Sequence, residues 1–106
     1  MARTYAEFWP LYLREHRNPW TRSLHCIGTS LGLTIGLTGI ATLDWVLVVL
    51  AFVVGYALSW SSHVLVEGNR PATFGHPFWS FISDFRMLAL WATGRLTDEL
   101  GRYGIR

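Results

Sequence analysis

Four histidines are the side chains in this sequence best suited to chemistry: His16, His25, His63 and His76. Neutral imidazole is a good ligand for first-row metals, and with a carboxylate and an open position it suits non-haem Fe(II) and oxygen. Glu67 lies one helical turn beyond His63 and projects from the same face, as a candidate ligand or a group that orients one. Asp84 is a second such candidate, with a local pairing to Arg86 as the plainer alternative. No HExxH, paired HxxHH or CxxC motif is present. A single histidine near a membrane surface usually serves as a polar anchor, so a metal site requires that these four be brought together.

The elements that would bring them together are apolar. The chain has 106 residues, enough for one domain (1–106), yet 51% are hydrophobic, six are Trp, and the mean hydropathy is +0.27. A soluble domain this small buries too little of its surface to hide that much. All nine basic residues are Arg, and none falls between Arg22 and Arg70, where the acids are Asp44 and Glu67. Charge is thus segregated to the two ends, which argues for membrane flanks and against the basic stripe of a nucleic-acid binder. Cys26 stands alone, excluding an intrachain disulfide, and is expected in the core. No cleavable leader is expected, because the first long apolar run starts late and a second follows it.

These features predict an all-α membrane protein: a two-helix transmembrane hairpin flanked by amphipathic or interfacial helices at both ends. Residues 4–16 read as an interfacial helix rich in aromatics, with Pro10 kinking it or marking its start. Asn18-Pro19 is a helix-start signal, opening a spanning helix over 20–43. Asp44 interrupts the apolar run, and a second span covers 45–66. Residues 67–76 form a loop dense in turn formers. Pro77 begins a helix over 77–93, read as interfacial or shallow because Asp84 and Arg86 would be costly at bilayer depth. The tail, 97–106, is polar and expected to be mobile. Arginines on both flanks, against none in the hairpin turn, place both termini and the histidines on the cytoplasmic side, the inner membrane if the source is bacterial.

Spacing supports convergence. His25 lies 19 residues before Asp44 and His63 lies 19 after it, so both sit roughly 28 Å from the turn. Gly28, Gly32, Gly36 and Gly39 fall within about 60° of His25 around the first helix, a face on which backbones approach closely. Tyr56, Ser59 and Glu67 fall within about 40° of His63. His16 and His76 flank the same ends of the hairpin. The arginines nearby have a sufficient explanation in the charge bias of membrane proteins. Their functional reading is capture of an anionic head, such as a carboxylate, by Arg17, Arg22 or Arg70.

Three stretches carry a family resemblance. Phe8-Trp9-Pro10-Leu11-Tyr12-Leu13-Arg14-Glu15-His16-Arg17-Asn18-Pro19, followed by Arg22-Ser23-Leu24-His25-Cys26-Ile27-Gly28-Thr29, resembles the opening signature of a small membrane family. His63 through Phe74 and Asp84-Phe85-Arg86-Met87 resemble its second half. The family is that of the Mpo-type 2-hydroxy fatty acid dioxygenases. The resemblance implies an Fe(II)-dependent enzyme of fatty-acid α-oxidation that uses O₂ to split a 2-hydroxy fatty acid between C1 and C2. It implies His16, His25, His63 and His76 as the iron ligands. Two readings from other classes stand beside it: a b-type haem protein with two axial histidines, and a non-catalytic scaffold whose glycine face drives homo-oligomerisation.

Overall fold

The computed structural model describes residues 2–70 and 75–105, and these are helical throughout, without strands. The helices are α1 (Tyr5–Arg14), α2 (Pro19–Ala41), α3 (Trp45–Ser61), α4 (Pro77–Ala92) and α5 (Leu96–Arg102), with a π-helical turn, Ser62–Glu67, continuing α3. Of the expected 67–76 loop, residues 71–74, including Phe74 of the second motif, lie outside the described residues.

Local chemistry sets the boundaries of the long helices. The Asn18 side chain accepts the Trp20 N–H at 2.9 Å, and Pro19 occupies the first helical position, where no partner for its nitrogen is needed. α2 ends two residues earlier than the expected 43, because the chain turns through Leu43 at φ 55° and the Asp44 N–H closes onto the Gly39 carbonyl at 2.8 Å. The Asp44 carboxylate then caps α3 by accepting from the N–H groups of Val46 and Leu47.

α2 and α3 pack antiparallel through the glycine face. A Cβ on Gly28 would stand 2.9 Å from Leu58 Cβ and 3.0 Å from the Gly55 carbonyl oxygen. On Gly32 it would meet the Ala51 oxygen at 3.0 Å, and on Gly36 the Ala51 Cβ at 3.3 Å. The glycines are therefore occupied within the chain, by α3. Both helices are long and apolar enough to cross a membrane. Thr29, Thr34 and Thr38 of α2, and Thr42 at its end, each donate to the carbonyl four residues back.

The remaining helices form an apolar core at one end of this pair, and here the structure departs from the sequence reading. The apolar face of α1 is turned into the chain. Its Phe8, Trp9, Tyr12 and Leu13 are buried with Cys26 of α2, Met87 of α4, and Leu96 and Leu100 of α5. Pro10 sits inside α1. The expected polar tail contains most of α5, held because Leu96 and Leu100, one turn apart, and Ile105 beyond the helix enter that core. Arg86 does not pair with Asp84, since residues two apart on a helix point in different directions. It lies 4.1 Å above the Trp9 ring and reaches Glu99 at 3.5 Å, while Glu99 accepts the Trp9 indole N–H at 2.7 Å. That cluster ties α1, α4 and α5 together.

Candidate metal centre

Three of the four histidines meet in this end of the molecule. His16 leaves the C-terminal end of α1, His25 lies two turns into α2, and His63 sits in the π-helical turn. All three are buried, and one ligating nitrogen from each lies within 4.8 Å of the others. Ring centroids are 4.6 Å apart for His16 and His25, and 4.3 Å for His16 and His63.

The partners on the far side of each ring fix its proton. His16 Nδ1 lies 2.7 Å from the Tyr12 carbonyl oxygen, which only accepts, so Nδ1 carries the hydrogen. Asn69 Nδ2 donates to the Glu15 carbonyl at 3.0 Å, which turns Asn69 Oδ1 toward His63 Nδ1 at 2.7 Å. That nitrogen is therefore also the protonated one. Both Nε2 atoms are left with lone pairs, yet they face each other at 2.9 Å. Two lone pairs held this close in a dry site repel unless a cation or a proton stands between them. Burial and the adjacent His25 and His63 rings hold His16 well below the ordinary imidazole pKa, which disfavours the proton. A cation satisfies the geometry. With metal–nitrogen bonds of about 2.0–2.1 Å, two ligands at a right angle stand about 2.9 Å apart.

His25 completes the set. Its Nε2 lies 3.4 Å from Asp84 Oδ1, and the Tyr12 hydroxyl donates to the same carboxylate oxygen at 2.6 Å. His25 Nδ1 is buried and has no hydrogen-bond partner among the described residues. Burial pushes the Asp84 carboxyl up to about 7, opposed by the Tyr12 hydrogen bond, and burial beside Asp84 raises Tyr12 well above its usual value. The residues present thus fit a metal ion bound by three neutral imidazoles.

The other expected site residues fall elsewhere. His76 does not join the cluster. It precedes Pro77 at the start of α4, stacks on Trp79 at 4.8 Å and meets the edge of Phe8 at 5.3 Å, so Phe8 and Tyr12 intervene between it and His16. Glu67 accepts the Asn18 N–H at 2.9 Å, which fastens the end of the π-helical turn to the start of α2. Asp84 is a partner of His25, through the contact given above. Arg22 is engaged with backbone, its Nη1 donating to the carbonyls of His16 and Arg17. Arg17 and Arg70 are exposed, each directly after a residue of the site, His16 and Asn69. Reasoning from sequence missed Tyr12 and Asn69, which hold the rings. Tyr12 had a usable signal, four residues before His16; Asn69, six after His63, had none without the π-helical turn.

Fold and site together define a class: an all-helical protein with two helices long enough to cross a membrane and three buried histidines able to hold a metal ion. The chain belongs to the Mpo1-like family, described as 2-hydroxy-palmitic acid dioxygenase Mpo1-like, whose model matches residues 2–96. The resemblance in the sequence motifs is thereby borne out. No curated protein and no solved structure matches the chain.

Proposed function

We propose that this protein is a membrane-embedded, Fe(II)-dependent dioxygenase that shortens 2-hydroxy fatty acids by one carbon. The observation that carries the metal is the pair of Nε2 lone pairs 2.9 Å apart, their Nδ1 protons committed elsewhere. The family name supports the reaction, since it speaks of a dioxygenase and of 2-hydroxy-palmitic acid. His16, His25 and His63 would hold the iron, and three imidazoles leave positions open for other ligands. Bound iron would supply activation of O₂ and a Lewis acid for the hydroxyl and carboxylate of the substrate.

The chain's own residues have separable tasks. Tyr12 and Asp84 orient His25, Asn69 orients His63, and the Tyr12 carbonyl fixes the tautomer of His16. Arg22 holds the segment carrying His16 through two carbonyls. Arg17 and Arg70 are the arginines assigned to the substrate carboxylate, because bidentate guanidinium contacts suit it.

A bilayer setting is supported by exposure as well as by hydropathy. Only 28% and 17% of the apolar stretches in the two long helices are buried, whereas the core helix of a soluble protein would be mostly covered. Val46, Val49 and Val53 are among the side chains left facing outward. The hairpin would cross with its turn on one side and the histidines, both termini and α5 on the cytoplasmic side, where the arginines gather.

Iron content and oxygen uptake of the detergent-purified protein test this. The parent should carry stoichiometric iron without a Soret band and consume O₂ on addition of 2-hydroxypalmitate. His63→Ala should lose both the iron and the uptake. Turnover with metal retained in His63→Ala would overturn the site, and a Soret band in the parent would replace this reading with haem.

A further inference from the structure

An apolar cleft of about 260 Å³ runs along the helix pair, and its polarity is graded along its length. One end is lined by Asp84, Thr29 and Ser59, and this is the end shared with the histidine cluster, since Asp84 lies 3.4 Å from His25 Nε2. The far end is lined by Ile40 and Val48, close to the hairpin turn. Between them the walls are hydrocarbon and aromatic, with Phe52 of α3 and Phe81 of α4 facing across at 6.4 Å between centroids. Gly28, Gly32 and Gly36 of α2 run along one side of it, in close contact with α3.

Length and shape identify the occupant. From Gly28 to Ile40 the lining covers twelve helical steps, about 18 Å. That is slightly more than half of a roughly 30 Å hydrocarbon core, the depth that one lipid acyl chain fills. A cleft with hydrocarbon along its length and its hydrogen-bonding groups gathered toward one end fits a single unbranched chain with a polar head. A second helix would need a wider trough and would leave the polar mouth unmatched. We infer that the cleft seats the acyl chain of the substrate, headgroup toward Asp84, and that Ile40 and Val48 at its far end set the chain length accepted.

This inference rests on the proposed function for the identity of the head, but it can fail separately. The probe is 2-hydroxypalmitate bearing a diazirine at its terminal carbon, photolysed with the detergent-purified protein and mapped by mass spectrometry. Labelling should fall on Leu37, Ile40 and Val48, and excess unlabelled 2-hydroxypalmitate should reduce it by about tenfold or more. Equal, uncompeted labelling of the outward-facing Val46, Val49 and Val53 would mean ordinary lipid contact and would overturn the assignment. Val48→Trp and Ile40→Trp should each shift the preference between twelve- and sixteen-carbon competitors by about tenfold or more toward the shorter, given the usual discrimination per methylene in a fitted pocket. Val46→Trp, two residues before Val48 on the opposite side of the same helix and 76% exposed, should leave it unchanged. Competed labelling without oxygen uptake keeps the cleft and removes the dioxygenase reading. Oxygen uptake with the same chain-length profile in Val48→Trp and Val46→Trp does the reverse.

Discussion

Asn69 makes three contacts, and each bears on the metal site. Its Oδ1 takes the His63 Nδ1 proton, its Nδ2 reaches the Glu15 carbonyl, and its backbone N–H returns to the His63 carbonyl at 3.0 Å. The side chain therefore decides both the tautomer of His63 and the direction of its ring, and links the π-helical turn to the end of α1. Replacing Asn69 with Ala should lower metal affinity by about 10- to 100-fold, the usual consequence of losing a group that orients a ligand. Helix content should be unchanged, because Asn69 lies beyond the helical residues. Asn69→Asp should be less severe: a carboxylate still accepts from Nδ1, while the bond to Glu15 is lost. Competition titration of the apo-protein with a chromophoric chelator measures this. Parent-like affinity in Asn69→Ala would mean that the His63 ring is held by packing alone.

At the scale of elements, glycine does different work at different positions. A Cβ on Gly39 would stand 2.9 Å from both the Asp44 carbonyl oxygen and the Val48 nitrogen, backbone atoms that cannot swing aside. Gly39→Ala should destabilise by about 1–3 kcal/mol through overpacking at the turn. Gly101, inside α5 with nothing near its added Cβ, should gain up to about 1 kcal/mol on the same change, because alanine is the better helix former. Unfolding in a denaturing detergent, followed by circular dichroism, compares the two; a loss at Gly101 equal to that at Gly39 would contradict the packing account. The glycine face, the capping role of Asn18, the break at Asp44 and the meeting of His25 with His63 were all readable from residue type and spacing, because α-helical periodicity is regular over α2 and most of α3, whereas the cap that Asp44 supplies to α3 was not read. His16 was placed by its nearness in sequence to the start of α2. What escaped was set by tertiary packing: the burial of α1, the helix in the expected tail, and the removal of His76 into a stack with Trp79. The π-helical turn escaped too, since nothing in Ser62–Glu67 distinguishes it from a further α-turn.

The whole molecule is 43 Å long and 28 by 27 Å across, with a bare helix pair at one end and a packed globule of α1, α4 and α5 at the other. The charges follow this division. Among the described residues the turn end holds Asp44 as its one charge, and the arginines belong to the globule end or to the segments leading into it. The proposed bilayer setting would seat such a body with the bare pair in hydrocarbon, the turn at the far surface, and the arginine-bearing end on the cytoplasmic side. Single cysteines introduced in place of Thr42, at the turn, and Thr97, in α5, report that arrangement in a Cys26→Ala background, with both sites exposed. In intact cells a membrane-impermeant maleimide should label Thr42→Cys and spare Thr97→Cys until the membrane is opened. Labelling of both in intact cells would place the termini and the turn on one accessible surface, which two crossings cannot produce. The reverse pattern would keep the crossings and invert them, bringing the histidine cluster to the outer face. Labelling of the turn alone is the outcome required if the iron is to be loaded, and a membrane-dissolved acid oxidised, from the cytoplasmic side.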